Sequence, residues 1–252
     1  MRQMKISKII LTILMGFTIS DPIISQIVTD RPDQTESSSA VGKGNLQLES
    51  GILLDIEGEG LYSTRHLFAP TTLFRYGILN GMELRILSQF ETQKTSGQSV
   101  SGISDIEIGA KLQVFNNENG HTKIAFLSHI IAPTGTRELT NSDFGIINKI
   151  AVSHELRENM SLGYNLGYSW YGRDNGDLTY SLSLGIGING RTAIFIEPYG
   201  AIENLREFIL NMDAGLTYLI GKNLQVDTSF GTGATDRMNF ISIGCSWLIS
   251  RE

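Results

Sequence analysis

Between residues 178 and 188 the chain alternates without interruption. Leu178, Tyr180, Leu182, Leu184, Ile186 and Ile188 share one parity, and Thr179, Ser181, Ser183, Gly185 and Gly187 share the other. Successive side chains of a strand point to opposite faces, so this stretch has one apolar face and one polar face of little bulk. Its eleven residues would run about 36 Å at roughly 3.3 Å each, where a soluble strand usually has five or six. Tilted by about 45°, such a strand spans a hydrocarbon layer. The Asn189-Gly190 pair that follows predicts a two-residue hairpin turn, with the next strand beginning at Arg191.

The same period recurs along the chain and predicts twelve strands. The first covers residues 46–56, with Gln47, Glu49, Asp55 and Glu57 opposite Leu46, Leu48, Ile52, Leu54 and Ile56. Residues 72–78 and 82–91 form a hairpin about Asn80-Gly81, and residues 105–114 a fourth strand with Asp105, Glu107 and Lys111 on its polar face. The fifth, 122–132, carries apolar residues on both faces; 144–154 and 160–170 follow, then 178–188, 191–201, 210–218, 224–230 and a last strand ending near Ile249. Residues 58–65, 93–102 and 133–143 read as loops. Short turns alternate with longer polar loops, and the strand number is even, as a single-chain outer-membrane barrel requires. The expected fold is therefore all-β: a transmembrane antiparallel up-and-down β-barrel over residues 46–252, multi-pass in the cell outer membrane. Aromatic residues at strand ends, among them Tyr76, Phe90, Tyr168, Trp170, Tyr218 and Trp247, suit its two interfacial girdles.

Two further segments precede the barrel. Arg2, Lys5 and Lys8 lead into an apolar run over residues 9–18, which reads as a secretory signal peptide over residues 1–25. Residues 26–45 are polar and rich in turn formers, unable to fill a core alone. They form either a periplasmic leader or a segment tucked into the mouth or lumen, with Asp30, Arg31 and Asp33 as its plug contacts.

Composition narrows the chemistry. With 41% hydrophobic and 18% charged residues, the chain is neither disordered nor a helical membrane protein. A net charge of −6 argues against nucleic acid as a partner, and the single Cys245 excludes an internal disulfide framework. The charged residues of the inward parity are the candidate solute path: Glu49, Glu83, Arg85, Asp105, Glu107, Lys111, Lys149, Glu197, Asp213 and Asp227, together with Arg75 and Tyr199. They serve either as a network that cross-links the lumen or as a polar path in which Arg75, Arg85 and Lys111 attract an anionic group and carboxylates select cations. A salt bridge from Lys111 to Asp105 and Glu107 is expected. No catalytic, metal or cofactor site is expected. Ser128-His129 and Ser153-His154 are sequence neighbours and so face opposite ways on a strand, while His66 and His121 fall in a loop and at a turn. A structural or adhesive barrel, and less readily an outer-membrane lipid-modifying enzyme, are the alternatives to transport.

Several segments carry a resemblance. Thr29-Asp30-Arg31-Pro32-Asp33-Gln34-Thr35 leads to Gln47-Leu48-Glu49-Ser50-Gly51; Leu73-Phe74-Arg75-Tyr76-Gly77 precedes Glu83-Leu84-Arg85. Gly102-Ile103-Ser104-Asp105-Ile106, Gly109-Ala110-Lys111, Ala132-Pro133-Thr134-Gly135, Glu197-Pro198-Tyr199-Gly200 and Asp213-Ala214-Gly215-Leu216 follow in order. Together these resemble the Gram-negative outer-membrane family named for the MetA-pathway of phenol degradation. The resemblance implies a membrane barrel that passes small, aromatic or otherwise hydrophobic solutes. Its partners would be outer-membrane lipid, a small-molecule solute and, during biogenesis, the barrel-assembly machinery.

Overall fold

The computed structural model describes residues 27–60, 63–117 and 121–251. The expected signal peptide lies outside them. The described residues form thirteen strands: β1 (Leu46–Glu57), β2 (Thr64–Leu79), β3 (Met82–Thr95), β4 (Gln98–Ile103), β5 (Ile106–Asn117), β6 (Thr122–Ala132), β7 (Gly145–Arg157), β8 (Met160–Trp170), β9 (Asp177–Gly187), β10 (Thr192–Glu203), β11 (Glu207–Ile220), β12 (Leu224–Gly233) and β13 (Met238–Ile249). Sequence neighbours pair antiparallel except β4 and β5, which both pair with β3, and β1 also pairs with β13, so the sheet closes on itself. The near half of β3 pairs with β5 and its far half with β4. β4 and β5 thus make one wall position interrupted at Ser104-Asp105, which reconciles thirteen segments with a twelve-stranded barrel. A closed sheet leaves no backbone edge in lipid, the condition any membrane-spanning β structure must meet.

The distribution of side chains is inverted relative to a soluble protein. Phe230 is 64% exposed and Ile243 62%, whereas Arg75, Glu83, Lys111 and Glu197 are each 0% exposed. Large apolar residues therefore cover the outside and charges fill the inside, which is stable only with hydrocarbon around the barrel. Tyr76, Tyr218 and Trp247 ring the end carrying the short turns, while Phe90, Tyr168 and Trp170 lie toward the other rim. There the Tyr168 hydroxyl donates to Asn175 O and Trp170 Nε1 to Asp174 O.

Four local expectations need correction. β2 begins at Thr64, overlapping the end of the stretch read as loop and well before the expected start at residue 72; a bulge between Phe68 and Thr71 reverses the phase of alternation there and hides the first part of the strand. Residues 93–102, expected as a loop, form a hairpin of β3 and β4 turning at Ser96-Gly97, both with positive φ. Asn189-Gly190 does not form a two-residue turn. β9 stops at Gly187 and β10 starts at Thr192, and the Asn189 side chain caps the four-residue connection by accepting from Arg191 N and Thr192 N. His66 lies in β2, where its Nδ1 sits 2.9 Å from Glu91 Oε1.

Candidate functional site: a lumen occupied by the N-terminal segment

Residues 27–45 thread the lumen as a loop, entering beside the short-turn end of β1. Gly44 N donates to Gly77 O, and the absent side chain of Gly77 leaves room for the backbone of Val41 and Gly42. The segment rises to an apex at Gln34 and returns along the wall of β13, β1 and β12.

On one side of the lumen it completes an ionic cluster. Arg75 donates from Nη1 to Glu49 Oε1 at 2.7 Å and from Nε to Glu83 Oε1 at 2.9 Å. Arg85 donates to Glu83 at 2.9 Å and to Glu36 at 2.8 Å. Asp30 is the centre of the group. Both its oxygens accept from Lys111 Nζ, at 2.9 and 2.8 Å, one also accepts from Arg85 Nη1, and Arg75 Nη1 is 3.3 Å away. The wall alone supplies three cations and two carboxylates, Glu49 and Glu83; Asp30 and Glu36 from the segment supply the rest. Backbone amides join in: Asp30 N donates to Glu49 at 3.0 Å and Val41 N to Glu83 at 2.7 Å. A buried ion pair is tolerated only when its remaining lone pairs and protons find partners, and here the amides of the segment provide them.

The other contacts fix the loop around the rest of the wall. Arg31 Nη2 reaches Asp227 Oδ1 at 3.0 Å and Ser242 Oγ at 2.9 Å. Its guanidinium occupies the space above Gly51 and Gly244, which face each other across β1 and β13, so a side chain at either glycine would displace it. Gln34 N donates to Glu197 Oε2 at 2.6 Å, and the Thr35 hydroxyl bridges Glu197 and Ser181. Glu36 N donates to Asn165 Oδ1 at 2.6 Å, Asn165 Nδ2 returns a bond to Glu36 O, and Ser38 meets Ser153. Asp33 meets the Ser183 hydroxyl.

The turn Asp33-Gln34-Thr35 divides what space remains. Toward the loops, an outer cavity of about 580 Å³ lies against β1, β10, β11 and β13, with Gln34 and Tyr199 at its floor. Those two residues also line a small cavity of about 150 Å³ with Lys149, Asn165 and Thr179. Toward the short-turn end, Arg31, Asp33, Thr35 and Glu36 line an inner cavity of about 230 Å³ walled by Ser153, Ser161, Ser183 and Thr217.

Of the residues singled out by parity, Glu49, Arg75, Glu83, Arg85 and Lys111 are brought together, and Glu197, Asp213 and Asp227 lie on the opposite wall. Two placements differ from expectation. Asp105 sits in the break between β4 and β5, outside the strands, and accepts from Gly135 N and Asn141 N at 2.9 Å each. Burial pushes its carboxyl up, but hydrogen bonds from the Thr140 hydroxyl and the backbone amides of Asn141, Gly135 and Thr134 outweigh it and hold the pKa below the usual carboxylate value. Glu107 does not pair with Lys111; its Oε2 lies 2.8 Å from His129 Nδ1, and Arg85 Nε donates to His129 Nε2 at 3.0 Å. His129 and Glu36 are network members absent from the parity set, the first for being set aside as a catalytic histidine, the second because nothing local predicts its reach to Arg85. His154 is held by Thr122 and Tyr164, and Ser153 by Ser38.

Comparison with known proteins accords with this geometry. The family model described as "Putative MetA-pathway of phenol degradation" matches residues 29–247, segment and barrel together. Among solved structures, the COG4313 outer membrane channel from Pseudomonas putida F1 is 12% identical with a TM-score of 0.71, covering 84% of this chain and 98% of that one. The KdgM porin in complex with disordered oligogalacturonate is 11% identical with a TM-score of 0.57, covering 82% and 99%. At such identities the likeness is one of fold. A search of curated proteins finds no matching relative.

Proposed function

This chain belongs to the family described as "Putative MetA-pathway of phenol degradation", and on that premise we propose that it passes small solutes across the outer membrane through a narrow charged lumen, with residues 27–45 as the element that restricts passage. The observation carrying the reading is the partition of the lumen at Asp33-Gln34-Thr35 into an outer and an inner cavity. A barrel serving only as a scaffold needs neither cavity. Opening follows from rearranging hydrogen bonds to Glu197, Ser181 and Asn165, with no change in the wall. The solute path is formed by Tyr199, Lys149, Glu197 and Asp213 at the partition, with Asp227 below, while Glu49, Arg75, Glu83, Arg85 and Lys111 hold the restricting segment. Small aromatic or otherwise hydrophobic solutes fit the family description and the narrow bore.

Liposome swelling with a panel of sugars, amino acids and aromatic acids tests the reading, using the full mature chain and a variant lacking residues 26–41. Slow, size-limited entry that accelerates in the deletion variant supports it. Correctly folded protein of both kinds admitting none of the panel would overturn it in favour of a structural barrel.

A further inference from the structure

The outer cavity has a chemical character that the passage of small solutes does not by itself require. Five carboxylates line it, Asp55, Glu57, Glu203, Glu207 and Asp236, against one cation, Arg237, which already forms an ion pair with Glu59. Glu203 and Glu207 stand directly opposite each other in the β10–β11 pairing. Like charges in that position repel and weaken the hairpin unless a cation comes between them. Acceptors without donors continue the theme. Asp55 Oδ1 and Asn211 Oδ1, both of lining residues, meet no hydrogen-bond donor. A buried acceptor left this way carries a desolvation cost that an incoming donor removes.

The remainder of the lining is apolar. Leu53, Ile209, Met238 and Phe240 share it with the ring of Tyr199. Among the described residues no three His, Cys, Asp or Glu side chains are grouped to hold a metal ion, so the carboxylates are too dispersed for compact coordination. Dispersed negative charge over greasy and aromatic walls suits a larger cation whose charge is spread or partly covered by carbon, since tyrosine and phenylalanine faces attract such cations as well. The volume of about 580 Å³ lies within the range of small-molecule sites.

We propose that the outer cavity is a binding site for organic cations with an apolar body, ammonium or quaternary ammonium compounds carrying an aromatic or aliphatic group, and that it selects them at the mouth of the lumen. The proposal deepens the transport reading by naming a solute class, and rests on it. In this site the ammonium group sits among Asp55, Glu203 and Glu207, and the apolar body lies against Phe240, Ile209 and Tyr199.

Calorimetric titration of the full mature chain, folded in a non-ionic micelle, tests it with three probes of related size: benzyltrimethylammonium, benzyl alcohol and phenylacetate. Saturable binding of benzyltrimethylammonium alone is expected, at least tenfold weaker in Glu203→Gln/Glu207→Gln, whose folding is checked by its heat-dependent gel migration. Tetramethylammonium, lacking the apolar body, should bind at least tenfold more weakly than benzyltrimethylammonium. Equal binding of phenylacetate, or unchanged affinity in the double variant, would overturn the proposal. A swelling assay separates this outcome from failure of the transport reading. Entry of neutral sugars with no cation binding sinks only the site, whereas folded protein that binds the cation and admits nothing sinks only the passage.

Discussion

Removing the Asp30 carboxylate should convert a closed lumen into one that opens often. In Asp30→Ala the Lys111 ammonium loses the acceptors at 2.9 and 2.8 Å, Arg85 loses one of its carboxylate partners, and Arg75 loses one at 3.3 Å. The wall then holds three cations against Glu49 and Glu83, with Glu36, 17% exposed, as a further carboxylate in reach. Breaking a buried ion pair by deleting one partner costs about 3–5 kcal/mol, because the survivor is left desolvated. That cost applies only while the segment is seated; once it leaves, water enters and solvates the three cations. The ratio of open to seated forms should therefore rise roughly 10²-fold or more, at about 1.4 kcal/mol per tenfold. Single-channel recording in planar bilayers reads this ratio directly as the fraction of time in a larger-conductance state. Adding Lys111→Met to Asp30→Ala removes the uncompensated ammonium and should reverse part of the effect, by about 0.5–3 kcal/mol of coupling. If Asp30→Ala shows the wild-type conductance and dwell times, Asp30 does not hold the segment and the reasoning fails.

Other consequences follow from the same geometry. Gly244→Val places a side chain where the Arg31 guanidinium lies, and because that group is the end of a flexible side chain the barrel should still fold while larger-conductance openings become more frequent in recordings. Phe230→Arg, on the lipid face, should destabilise the inserted barrel by up to about 2–4 kcal/mol near the bilayer midplane and less toward the interface, read as a lower urea midpoint in liposomes. Asp105 has a folded pKa depressed below 3.8, so its anchoring of residues 133–144 is fully present above that value and lost as pH falls through the lower folded value. Cleavage by pepsin within 133–144 should accordingly be slow at about pH 4 and quicken as the pH is lowered through the folded value, and Asp105→Asn should be cut quickly throughout.

Alternation made much of the wall legible because lipid enforces it. The strand over β9 shows it without exception, its outward face being greasy and its inward face small where the segment packs close. Where that enforcement lapses, the reading lapsed too. The far half of β3 and all of β4 extend beyond the apolar belt and carry polar residues on both faces, so they looked like a loop. β6 blurred for the opposite reason: Ala125 and Leu127 face inward, fully buried, and Leu127 lies across from Lys111 in the register with β5. Parity found the charged wall residues because facing the lumen is a local property. It could not find that Asp30 is the shared partner of Arg75, Arg85 and Lys111, since contacts spanning 81 residues leave no periodic trace. Nor could it foresee that Gly51 and Gly244 meet beneath Arg31, which only the β1–β13 register reveals.

The native Cys245, on the outward face of β13 between Ile243 and Trp247, offers the most direct test of the arrangement as a whole. A nitroxide attached there in bilayer-inserted protein should collide with dissolved oxygen far more readily than with a water-soluble nickel chelate, because the surrounding medium is hydrocarbon. Preferential collision with the nickel chelate would place that face in water and contradict the membrane barrel outright.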